Sequence, residues 1–82
     1  MTKSLLQAHI ILQRELEAED LTDNERLCDT LKLATVHNYV KDHEQFKRNM
    51  AEMNKLASRG AEFVDSLDAI KCLNLMLFFY DT

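Results

Sequence analysis

Imidazoles, thiols and carboxylates are the side chains from which metal sites and nucleophile–base pairs are built. This chain has three histidines, His9, His37 and His43, and two cysteines, Cys28 and Cys72. Their spacing signals neither kind of site. His37 and His43 stand six apart, whereas two ligands on one helical face need a separation of three or four. Cys28 and Cys72 lie singly in apolar stretches, without the paired spacing of a zinc site, and read as buried, reduced thiols. No nucleophile, base and orienting carboxylate fall into a constellation, so the chain reads as non-enzymatic, with no cofactor and no metal. Gly60 is its only glycine, which excludes a glycine-rich phosphate loop. His43, and His9 on the apolar side of the first helix, are expected to be structural. A half-buried imidazole there would bond a backbone carbonyl or a carboxylate and resist a larger or permanently charged replacement.

Other residues are suited to binding rather than reaction. Lys41, Arg48 and Lys55 are spaced by sevens and share a face if the helix is regular, with Lys47 beside them and Arg59 adding to the set. Two readings stand: a solvated face, or a docking face for an acidic protein partner. A nucleic-acid footprint is not expected, because interleaved aromatics are missing and the net charge is −4. Phe46, Met50 and Met53 fill a core or floor an adaptable apolar groove. At the C-terminus, Leu73 to Tyr80 is apolar but for Asn74, far short of the ~20 residues that span a bilayer. That run is the centre of a small core or one half of a contact. Leu75, Phe78, Phe79 and Tyr80, with the basic face, form the candidate partner surface.

The elements that must position these groups follow from composition and period. Eighty-two residues, 46% hydrophobic and 29% charged, make one domain over 1–82 with a marginal core. With no proline and a single glycine, turns for a sheet fold are hard to place, so the expected class is all-α: a compact bundle of three to four helices with the apolar C-terminal helix central. The charge alternates along the chain, −4 over residues 1–30, +3 over 31–60 and −3 over 61–82, as in helices that neutralise one another. A first helix is expected from Ser4 to Glu19, with Leu5, Ala8, His9, Leu12 and Leu16 on one face and carboxylates crowding its end. Thr22-Asp23-Asn24-Glu25 fits a capping box for a second helix. Tyr39, His43, Phe46, Met50, Met53 and Ala57 keep an unbroken helical spacing, yet Asp42-His43-Glu44-Gln45 offers a new cap. A bend or break around residues 40–43 is therefore favoured over one long helix. Gly60 is expected to end that helix in a left-handed turn. The last helix should begin near Ala61 or Glu62 and present Phe63, Leu67, Ile70, Leu73 or Asn74, and Leu77 on one face. A closing strand over residues 75–80 is the lesser alternative. His9, Gln13 and Arg14 interrupt the start too soon for a signal peptide, which makes the cytoplasm the default.

From Met1-Thr2-Lys3-Ser4-Leu5-Leu6 through Asp42-His43-Glu44 to the apolar end, the chain resembles the small cytoplasmic antiholins of T-even bacteriophages, the accessory lysis-inhibition proteins. The likeness is one of overall length and sequence, not of a motif, so no functional residue is carried over. It implies a regulator in the host cytoplasm that binds the cytoplasmic N-terminal part of the phage holin, together with the holin's periplasmic inhibitor, and delays hole formation in host cell lysis. Contact with the membrane would be indirect, through that partner. Separately, the apolar C-terminal cluster is expected at a contact either with a second copy of the chain, as an oligomer such as a homodimer, or with the partner. The competing reading is a small homodimeric helical interaction module or transcriptional regulator. Salt-sensitive DNA binding would mark the regulator, and the acidic charge counts against it.

Overall fold

The structure, a computed structural model, describes residues 3–81; the side chains of Leu73 and of residues 75–81 lie outside that description. Four helices follow one another: α1 (Lys3–Leu16), α2 (Asp23–Tyr39), α3 (His43–Ser58) and α4 (Ser66–Asp81). The fold is an all-helical bundle. Among the described residues α2 packs against each of the other three helices, so the second helix takes the central place that the sequence suggested for the last.

The first helix lays Leu5, Ala8, His9, Leu12 and Leu16 toward α2 and leaves Leu6, Ile10 and Ile11 exposed. It ends at Leu16, three residues before the expected Glu19. Glu17 and Ala18 donate only to the carbonyls of Arg14 and Glu15, a tightened last turn where Glu17 and Glu19 oppose the helix dipole. The Leu16 carbonyl is taken by Arg26 Nη1 at 3.0 Å, so a cation from α2 closes α1.

The capping box forms as read: Glu25 N–H donates to Thr22 Oγ1 at 3.1 Å and Thr22 N–H to Glu25 Oε1 at 3.4 Å. At the other end of α2 the chain does break. Lys41 adopts a left-handed φ of 61°, Lys41 N–H donates to Asn38 O, and Asp42 N–H donates to His37 O. These two bonds close a helix on a left-handed residue, the position usually held by glycine. Asp42 then accepts from Gln45 N–H at 3.3 Å and starts α3. The same closure recurs after α3, where Gly60 has φ 94° and Ala61 N–H donates to Leu56 O.

These two turns give opposite predictions from one cause. A Cβ at Gly60 would meet nothing within 4 Å, so Gly60→Ala is expected to cost about 1 kcal/mol through backbone strain alone. Lys41→Gly should relieve that strain and raise stability by about 0.5–1 kcal/mol. Urea unfolding midpoints read both. A Lys41→Gly that destabilises would mean the lysine side chain makes a compensating contact.

The last helix starts later than the sequence suggested, at Ser66 rather than near Ala61. Ala61 is buried in the core, and Glu62 N–H donates to Asn24 Oδ1 at 2.8 Å, across to the start of α2. Asp65 Oδ1 accepts from Leu67 N–H at 2.9 Å and caps α4. Residues 61–65 are therefore a strap, held also by the Arg59–Asp23 ion pair at 3.0 Å. The core comprises Leu27, Leu31 and Ala34 of α2, Phe46, Met53 and Leu56 of α3, and Ala61, with Met50, Phe63 and Cys72 packed on it.

Candidate functional site

Taken by residue, the basic candidates are all at the surface. Lys41 stands at the α2–α3 corner, while Arg48 and Lys55 lie exposed on the outer side of α3. Among the described residues, none of the three is in an ion pair. Arg59, added to them by spacing, is instead engaged with Asp23.

The Phe46, Met50 and Met53 set divides. Phe46 and Met53 are core, whereas Met50 is half-buried. Met50 and Met53 line a groove of about 450 Å³ between α3 and the strap, with Ala51, Asn54, Phe63 and Cys72 as further walls and Lys47 at one border. Its mostly apolar lining and its size are those of a site that takes apolar side chains or a small ligand. On the strap and α4, Val64 is 92% exposed, Leu67 61% and Ile70 53%. The face of α4 that the sequence placed inward is thus turned outward among the described residues. Asp68, Ala69 and Cys72 point in, whereas Leu67, Ile70 and Asn74 point out. The reason is the late helix start: Phe63 is on the strap rather than on α4, and Cys72 takes the core-facing position. The C-terminal candidates Leu75, Phe78, Phe79 and Tyr80 have side chains outside the described residues.

Of the two imidazoles expected to be structural, His9 is half-buried and hydrogen-bonded to His37, while His43 is not buried. His43 is exposed in the first turn of α3, off the apolar seam, because the left-handed turn at Lys41 breaks the helical register between Tyr39 and Phe46. The buried imidazole is His37, 5% exposed. Its Nδ1 lies 2.6 Å from Asn49 Nδ2 and its Nε2 lies 3.2 Å from His9 Nε2. The His9 and His37 rings meet edge to face with centroids 5.1 Å apart. With the Asn49 amide donating to Nδ1, His37 holds its proton at Nε2 and donates it to His9. Burial, and then the His9 charge, lower the His37 pKa, with Asp42 opposing. Asn49, His37 and His9 thus tie α3, α2 and α1 together with a neutral chain of hydrogen bonds.

The other shifted groups among the described residues are two thiols and a carboxyl. Cys28 Sγ donates to Asp68 Oδ2 at 3.5 Å, and burial raises its pKa. Cys72 is raised by burial as well. Both are thiols rather than thiolates at neutral pH. Asp29 is buried against Glu15, and burial followed by that carboxyl raises its pKa. Among the described residues no group of three histidines, cysteines or carboxylates could hold a metal ion. No described helix is long and apolar enough to cross a membrane. Comparison with known protein families, with curated proteins and with solved structures gives no match.

Proposed function

We propose that the chain is a non-enzymatic regulator of lysis that acts in the host cytoplasm by binding the N-terminal cytoplasmic segment of a phage holin. The whole-chain resemblance to the T-even antiholins supports the choice of partner. The observation that carries a binding role is that, among the described residues, Leu67 and Ile70 of α4 are exposed apolar groups and Arg48 and Lys55 of α3 are exposed cations outside any ion pair. An uncovered apolar stripe of this kind marks an interaction surface more often than a solvated one. Binding would be thermodynamic control. A regulator that prefers the unassembled holin shifts its population away from holes by the difference in affinity for the two states.

The test is co-expression of the full chain with the soluble N-terminal segment of the holin, followed by co-purification. The expected result is a defined complex whose dissociation constant rises about tenfold or more in the Arg48→Glu, Lys55→Glu double variant. No complex at ~100 µM of each partner would overturn the reading.

A further inference from the structure

No two histidines stand at helical ligand spacing, but the fold joins two that are 28 residues apart, His9 of α1 and His37 of α2. Their Nε2 atoms lie 3.2 Å apart, their ring centroids 5.1 Å apart and their planes at 73°. One proton, on His37 Nε2, fills that gap as a hydrogen bond. The gap is also the size that a metal ion requires. Two imidazole nitrogens, each ~2.05 Å from one ion and near a tetrahedral angle, stand about 3.2–3.4 Å apart, with ring centroids about 5 Å apart. Neither ring has to move far to hold an ion.

The surroundings suit a cation. A ligating histidine as a rule gives its other N–H to an acceptor that fixes the ring. The Asn49 amide, 2.6 Å from His37 Nδ1, becomes that acceptor when it turns its Oδ1 inward. Asp42 is a carboxylate whose charge acts on His37. Burial keeps His37 neutral, the form that ligates. His9 is half-buried and keeps part of its surface in solvent.

We propose that His9 Nε2 and His37 Nε2 form a binding site for a zinc-class divalent ion that clips α1 to α2. Among the described residues no third ligand completes a protein cage, so water fills the remaining positions. The ion replaces the shared proton, which moves from Nε2 of His37 to its Nδ1 and is donated to Asn49 Oδ1. His9 keeps its own proton on Nδ1, so no net proton is released. Imidazole nitrogen selects zinc, copper or nickel over magnesium and calcium, which prefer oxygen ligands. The inference does not depend on the holin reading.

Zinc chloride titrated into the chelator-treated full chain at pH 7.5 tests it, by calorimetry and by the imidazole proton resonances. The expected result is one ion per chain with a dissociation constant on the order of 10–100 µM. The ring signals of His9 and His37 should shift while those of His43 stay. Saturating zinc should raise the urea midpoint, because only the folded chain brings the two rings together. His9→Gln, at a half-buried position, should keep the helical circular dichroism, weaken zinc binding about tenfold or more and abolish the midpoint rise. Magnesium chloride at ~5 mM should not compete. The ring shifts of the parent decide the matter even if the variant folds poorly. No binding at ~1 mM zinc overturns the proposal. So do shifts confined to His43, a folded His9→Gln that binds zinc as the parent does, or displacement of zinc by magnesium.

Discussion

Phe46→Ala should remove about 3–5 kcal/mol of stability, the usual range for emptying a buried phenylalanine site. Phe46 is 2% exposed and lies among Leu27, Leu31, Ala34, Met53 and Leu56 at the α2–α3 contact, the most extensive in the molecule. A chain of this length holds roughly 4–12 kcal/mol in all, so the variant is expected to be largely unfolded or close to it at 37 °C. Two companions make the prediction a test of the packing. Met50→Ala, at a half-buried position, should cost clearly less. Leu67→Ala, on the outer stripe of α4, should stay within about 0.5 kcal/mol. Urea unfolding gives the three values. A Leu67→Ala loss as large as that of Phe46→Ala would mean that α4 turns this stripe inward, as the sequence first suggested, and would remove the basis for the binding face.

The difference between those two residues shows what the sequence carries and what it does not. Local signals were legible. Thr22 and Glu25 announce the start of α2 by chemistry confined to four residues, and Gly60 announces the end of α3 because only that position is free of a Cβ. The break at Lys41 was legible only through Asp42, since no glycine marks it and a lysine bears the left-handed turn at some cost. What failed depended on distant partners. Glu62 and Asp65 read as the first turns of a helix. Yet the Glu62 amide is claimed by Asn24, 38 residues away, and Ala61 is drawn into the core, so the helix waits until Ser66. The outward turn of Leu67 and Ile70 follows from that delay. The exposure of Lys41, Arg48 and Lys55 was legible from charge alone, because isolated cations are rarely buried. The burial of His37 had a weak local cue, its i+4 position from Leu33 and i+3 position from Ala34, both buried. Its partners, His9 at 28 residues and Asn49 at 12, had no local cue. The seam through His43 drew attention to the wrong imidazole.

That buried imidazole gives the second large effect, a loss of stability on mild acidification. The unfolded chain protonates His37 near its ordinary value of 6.5, while the folded chain holds it lower. The native state therefore binds fewer protons than the unfolded one once the pH falls through 6.5. Its advantage from this group is complete above that value and is lost as the pH drops toward the folded pKa. Protonation of His37 also removes the acceptor on Nδ1 that Asn49 fills. Asp29 works in the opposite sense. Its folded pKa is raised above 3.8, so its contribution is fully present below 3.8 and is lost as the pH rises through the folded value. Urea midpoints between pH 7.5 and 5.5 should accordingly fall for the parent. His37→Gln should flatten the fall. Asn49→Ala should cost about 1–3 kcal/mol at pH 7.5, because it leaves a buried ring nitrogen without its partner. Its dependence on pH should also weaken, since an Nδ1 without its donor takes up a proton more readily. A parent midpoint that stays level from pH 7.5 to 5.5 would show that the His9–His37–Asn49 chain does not hold the three helices together in its neutral form.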